Sequence, residues 1–244
     1  MKKLLLILCI LLSVLTGRSQ ERITQGANKL HSVRLITGQA ESAVYSWEVS
    51  PATGSSTNVS AVSDSATTIV WDGPPGIYTL TVSVIDGNNC VSEQVSKEVE
   101  IVASGDLIFA ASTPSTVVCS DLAGNVEGSS PPHSESVFQV VYAGEANLTS
   151  ATFIIENPDG QFVDANGSIL TDQDNPEITV DNSGEDKTID LAVSDSWENT
   201  GSSNVQFTVT LVSAILTDNA EIVADPETDI VRSISVLPKP VIGF

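Results

Sequence analysis

The chain has 244 residues, 41% of them hydrophobic, with 31 acidic residues against 10 basic ones and a formal net charge of −21. That apolar share excludes an acidic disordered polymer and calls for folded cores. The charge repels nucleic-acid phosphates and anionic membrane surfaces, so neither is expected as a partner.

At the N-terminus, Lys2 and Lys3 precede an apolar run over residues 4–12, and Thr16-Gly17-Arg18-Ser19 follows. A basic head, an apolar stretch too short to cross a bilayer, and small residues at Gly17 and Ser19 read as a signal peptide over 1–19, cut before Gln20. Cys9 lies inside the apolar run after Ile7 and Leu8, out of place for lipid attachment. No later stretch offers about 20 consecutive apolar residues, so the exported chain is not expected to span a membrane. Loss of Lys2, Lys3 and Arg18 leaves seven basic residues against the 31 acidic ones. The remaining length suits two domains of ~100–150 residues, expected at 20–103 and 105–244.

In the first of these, residues 45–49 alternate large apolar and polar side chains, as a strand with one buried face does. Ser50-Pro51-Ala52-Thr53-Gly54 stops it. A second strand over 67–71 ends at Asp72-Gly73-Pro74-Pro75-Gly76, a turn by its proline and glycine content. A long alternation follows, with Tyr78, Leu80, Val82 and Val84 on one side. Asp86-Gly87-Asn88-Asn89 turns the chain back, and Val99 and Ile101 share one face of a closing strand. Trp47, Trp71 and Tyr78 sit inside these alternations and are expected in the core between two sheets; an exposed aromatic platform for sugar rings is the alternative.

Tyr45-x-Trp47, Ile69-Val70-Trp71, Pro75-Gly76-x-Tyr78-x-Leu80-x-Val82-x-Val84 and Gly87-x-x-Cys90 together resemble the PKD family of immunoglobulin-like domains, over about residues 23–102, and especially its variants in surface proteins of gliding bacteria. The sequence departs from that family where Ser50-Pro51-Ala52-Thr53-Gly54 replaces the usual Gly-Asp-Gly turn. The resemblance implies a sandwich used as a spacer or as a protein or carbohydrate contact on extracellular proteins, and licenses no activity by itself.

From Gly105 onward the same logic continues, with strands expected at 116–119, 137–142, 151–155, 188–193, 205–216 and 230–236. The fold class expected of the whole chain is therefore all-β, two immunoglobulin-like antiparallel sandwiches in tandem after a signal peptide. The stretch 120–135, with Ser129, Ser130, Pro131, Pro132 and His133, reads as a long loop and a candidate partner-binding surface.

Two cysteines follow the signal segment, Cys90 and Cys119. In an exported chain such a pair is a disulfide candidate, with two separate thiols as the alternative. Asp159, Asp164, Asn166, Asp172 and Asp174 bring hard oxygen ligands close in sequence, a possible calcium site, though no segment matches the twelve-residue calcium loop and such residues also serve turns. No cofactor is otherwise expected. His31 and His133 lie in different modules, with no nucleophile elbow, zinc motif or phosphate loop near either. The sequence thus points to a non-enzymatic binding or scaffold protein with a protein partner, an accessory subunit of an envelope or surface assembly related to gliding, adhesion or type IX secretion. A carbohydrate-binding module with a glycan ligand, and a calcium-dependent adhesin, are the alternatives.

Overall fold

The computed structural model describes residues 20–38, 40, 42–51, 65–120 and 135–240. The expected signal segment 1–19 and the candidate loop residues Ser129, Ser130, Pro131, Pro132 and His133 lie outside them. Among the described residues every regular element is a strand, and no helix is long and apolar enough to cross a membrane. The strands fall into two units. One takes the chain as far as Val102 and the other begins at Ala103, with Gly26–Asn28 grouped with the second.

The first unit contains β1 (Glu21–Thr24), β2 (Ala27–Ser32), β3 (Val44–Ser50), β4 (Ala66–Trp71), β5 (Gly76–Ile85) and β6 (Val95–Val102). One sheet has the order β1-β6-β5-β3, and β2 pairs with β4 in the other. β1 runs parallel to β6, with Glu21 opposite Val99, while β5 is antiparallel to both β6 and β3. A parallel first strand on the edge of three antiparallel strands, with the chain crossing to a second small sheet between β3 and β5, is the arrangement of an immunoglobulin-like sandwich.

Period-two alternation decides what fills it. Trp47 of β3, Trp71 of β4 and Tyr78 of β5 are 3%, 0% and 4% exposed, and Val99 and Ile101 of β6 join them. Each such large side chain contributes roughly 1.5–3 kcal/mol by leaving water. The Tyr78 hydroxyl donates to the Pro74 carbonyl at 2.6 Å. The Gly76-x-Tyr78 motif therefore forms a tyrosine corner, tying the start of β5 back to the turn that precedes it.

The second unit contains β7 (Leu107–Phe109), β8 (Thr116–Cys119), β9 (Glu135–Tyr142), β10 (Leu148–Glu156), β11 (Ile178–Asp181), β12 (Thr188–Ser194), β13 (Val205–Leu216), β14 (Glu221–Val223) and β15 (Val231–Leu237). Its sheets have the orders β11-β10-β13-β15-β8, with β14 also on β13, and β12-β9-β7. Here too an early strand, β8, runs parallel to the last, β15. Phe109 lies edge-on to Phe138 and stacks with Phe153 in the core. Arg232 of β15 is 5% exposed beside them, its guanidinium carbon 5.1 Å from the Phe109 ring centre.

Five strands carry no clear pattern in the sequence: β1, β2, β7, β11 and β14. All are short, and β1 and β2 place charged or polar residues where an inward apolar side chain is expected. Those two strands build the site described next.

Candidate binding cleft in the first sandwich

The sheet containing β6 is incomplete along one side. β1 covers only Val99–Val102 of β6, so among the described residues no strand pairs with the outer side of residues 95–98. Gln25 N–H donates to the Val102 carbonyl at 2.9 Å, which fixes the side to which the backbone of Val102 points. Two-residue periodicity turns the N–H and C=O of Ser96 and the N–H of Glu98 into the same lane, while the Glu98 carbonyl faces Glu21 of β1. The N–H and C=O of Val95 and Lys97 point instead toward β5, where those residues lie opposite Val82 and Leu80. Residues 95–98 are all exposed.

Two cavities adjoin this free length of strand. One, of about 410 Å³, is lined by Glu21, Lys29, His31, Trp47, Leu80 and Lys97 among others; the second, of about 360 Å³, is mainly apolar and includes Arg34, Ile36, Val84 and Val95. Ile36 and Val95 are exposed apolar side chains at this opening.

The polar residues of the first cavity occupy inward positions. Lys97 is in phase with buried Val99 and Ile101 on β6, Glu21 with buried Ile23 on β1, and Lys29 with buried His31 on β2. Glu21 bridges the two lysines, at 2.5 Å from Lys29 Nζ through Oε1 and in contact with Lys97 Nζ through Oε2. Burial pushes the Glu21 carboxyl up, but hydrogen bonds and charge from Lys29 and Lys97 outweigh it and hold it below its ordinary value. Burial also holds His31 below its ordinary value; Glu21 opposes that effect, and Lys97 and Lys29 add to it. The His31 Nε2 accepts a hydrogen bond from Trp71 Nε1 at 3.2 Å, so the neutral ring carries its proton on Nδ1. Trp47 Nε1 is buried and finds no acceptor among the described residues.

The other sequence-based candidates lie elsewhere. Cys90 and Cys119 are exposed cysteines, one in each unit. Asp164 Oδ1 accepts from the amides of Asn166 and Ser168, and Asp172 Oδ1 from those of Asp174 and Asn175. The Asp159 amide donates to Asn157 Oδ1. These are turns closed by their own side chains. Among the described residues no three His, Cys, Asp or Glu side chains converge to hold a metal ion. Trp47, Trp71 and Tyr78 are buried as core residues, and only Trp47 lines the cleft. The charged residues of the cleft escaped sequence reading. The signal that could have found them is Lys97 standing in phase with Val99 and Ile101.

No family model matches the chain, and no curated protein matches it in sequence. Among solved structures it is similar to the fibronectin(III)-like modules of CbhA from Clostridium thermocellum, at 13% identity and a TM-score of 0.35, covering 92% of each chain. It is also similar to the FN1-FN3 domains of chicken CNTN1, at 9% identity and a TM-score of 0.40, covering 89% of this chain and 68% of that one. Sidekick-1 immunoglobulin domains 1-5 match at 10% identity and a TM-score of 0.35, over 92% of this chain and 39% of that one. Likenesses this loose carry no functional argument, and the sandwich assignment rests on the strand pairing described above.

Proposed function

We propose that this protein is an exported, non-catalytic binding module that captures an extended segment of a partner protein by adding it as a strand to β6, as an accessory subunit of an envelope or cell-surface assembly. The observation that carries this reading is the lane beside residues 95–98, unpaired among the described residues, with the N–H and C=O of Ser96 and the N–H of Glu98 turned into it and a cleft alongside. An unpaired sheet edge is a template for another strand, and apolar pockets beside it select alternate side chains. The signal-like N-terminus and the resemblance to PKD domains support an extracytoplasmic setting, with gliding or adhesion machinery as the context to examine.

The test is mild cross-linking of whole cells followed by recovery of the tagged chain and mass spectrometry, with Ser96→Pro beside the wild type. Proline removes an N–H that faces the lane and leaves the β5 ladder intact. Repeated recovery of one envelope complex by the wild type, lost in the variant, is the expected result. Equal recovery by both places the contact elsewhere.

A carbohydrate reading has one specific observation behind it. A cavity of about 330 Å³ in the second unit is lined by Asn166, Ser194, Ser196, half-buried Trp197 and Glu198, and Ser196 Oγ is buried without a partner there among the described residues. An aromatic ring beside amide and hydroxyl groups suits a sugar. Glycan-dependent quenching of tryptophan fluorescence, abolished in Trp197→Ala, supports that reading; no response to any glycan on an array removes it.

A further inference from the structure

We infer that the cavity around Glu21, Lys29 and Lys97 is a carboxylate subsite, and that the strand captured along β6 carries an acidic side chain facing Lys97. This rests on strand addition as the mode of capture and names the chemistry that selects the strand.

Charge counting comes first. Two ammonium groups, Lys29 and Lys97, share the one Glu21 carboxylate, which among the described residues leaves a positive charge unmatched at the cavity. That surplus stands in a chain with 31 acidic residues. Only seven basic residues follow the signal segment, and three of them, Lys29, Arg34 and Lys97, line the two cavities beside the lane, against the two acidic residues Glu21 and Glu93.

Geometry supplies the second step. β1 already occupies the continuation of the lane, with Glu21 on its inward face opposite Val99. Gln20 directly precedes Glu21, so a strand entering the lane parallel to β6 ends just before Gln20, and the side chain of its last residue, two positions before Glu21, faces inward beside Lys97, roughly 7 Å along at about 3.3 Å per residue. A carboxylate there has Lys97 beside it and Lys29 across the cleft. Trp47 Nε1, buried without an acceptor, is a further donor lining the same cavity.

Selectivity follows from the same arrangement. An inward lysine at a sheet edge discourages indiscriminate pairing, because a wholly apolar strand would cover an ammonium and offer it no counterion. A strand bearing a carboxylate removes that penalty and gains a charge-assisted hydrogen bond.

The experiment titrates the chain from Gln20 to Phe244 with blocked nonapeptides of alternating threonine and valine, identical except for glutamate or glutamine as the last residue, and follows binding by NMR up to millimolar peptide. Oligogalacturonate is titrated in parallel. The expected result is glutamate-peptide binding at least about tenfold tighter than glutamine-peptide binding. That preference falls below about threefold in Lys97→Met, is kept in Lys97→Arg, and weakens with salt. Retention of the preference by Lys97→Arg, together with unchanged strand content by circular dichroism in both variants, separates charge from folding. Equal binding of the two peptides, with both lost in Ser96→Pro, overturns the carboxylate subsite and leaves strand addition standing. Binding of neither peptide overturns both readings. Binding of oligogalacturonate alone replaces the strand by an acidic glycan.

Discussion

Arg232 shows how one buried charge is held in the second sandwich. Its Nε donates to the Thr113 carbonyl at 2.8 Å, its NH2 donates to Ala110 O at 3.2 Å and to Asp229 Oδ2 at 2.8 Å, and its NH1 contacts Asp229 Oδ1. The guanidinium thus ties β15 to the segment that follows β7. The hydrogen bond from Arg232 holds the Asp229 carboxyl below its ordinary value, against a small upward effect of burial. Arg232→Met leaves those carbonyls without their donor and is expected to destabilise the unit by about 2–4 kcal/mol, measured by urea unfolding. In the first unit His31 and Glu21 are displaced from their ordinary pKa values. His31 is held below 6.5, so as pH falls through 6.5 the unfolded chain takes up a proton that the folded one refuses. Its contribution is whole above pH 6.5 and declines below it. Glu21, held below 4.5, contributes stability that is whole above pH 4.5 and is lost at still lower pH. Stability of the first unit therefore falls on acidification from neutrality. In His31→Gln, which keeps an acceptor for Trp71, the decline between pH 6.5 and 4.5 is expected to flatten.

At the level of elements, the two sides of β6 differ, and proline distinguishes them. The Ser96 N–H faces the open lane, whereas the Lys97 N–H faces β5. Ser96→Pro is expected to cost less than about 1 kcal/mol, while Lys97→Pro breaks the ladder and costs about 3 kcal/mol or more. Thermal melts of the two variants check this; equal losses would contradict the lane assignment. The same strand shows why the fold was legible and the site was not. Alternation in β3, β5 and β13 is strong because Trp47, Tyr78, Leu80 and Phe207 face a core, and the expected span 205–216 coincides with β13. In β2 the inward positions belong to Lys29 and His31 and the large apolar residue, Leu30, points outward, so the hydrophobic signal is inverted. β1 is four residues long and opens on Glu21. A strand whose inward face is charged looks like a polar connection in sequence. Here that departure from pattern is where the proposed binding chemistry lies.

For the whole molecule, the distribution of charge matters more than its total. Acidic residues are spread along the chain, whereas Arg22, Lys29, Arg34 and Lys97, four of the seven basic residues after position 19, all belong to the first sandwich. An acidic surface around a small basic cleft disfavours indiscriminate contact with anionic polymers and leaves local attraction to decide the partner. All-β architecture was legible because both sandwiches obey the same period-two rule. The open edge was not, because it depends on β1 covering only half of β6, a matter of tertiary register that no local pattern encodes. The most direct measurement is amide hydrogen exchange at Ser96 and Glu98 in the chain beginning at Gln20, alone and saturated with the partner recovered by cross-linking. Fast exchange in the free protein and strong protection of both amides in the complex is the predicted result. Protection already present in the free protein, or exchange unchanged on binding, would contradict strand addition at β6.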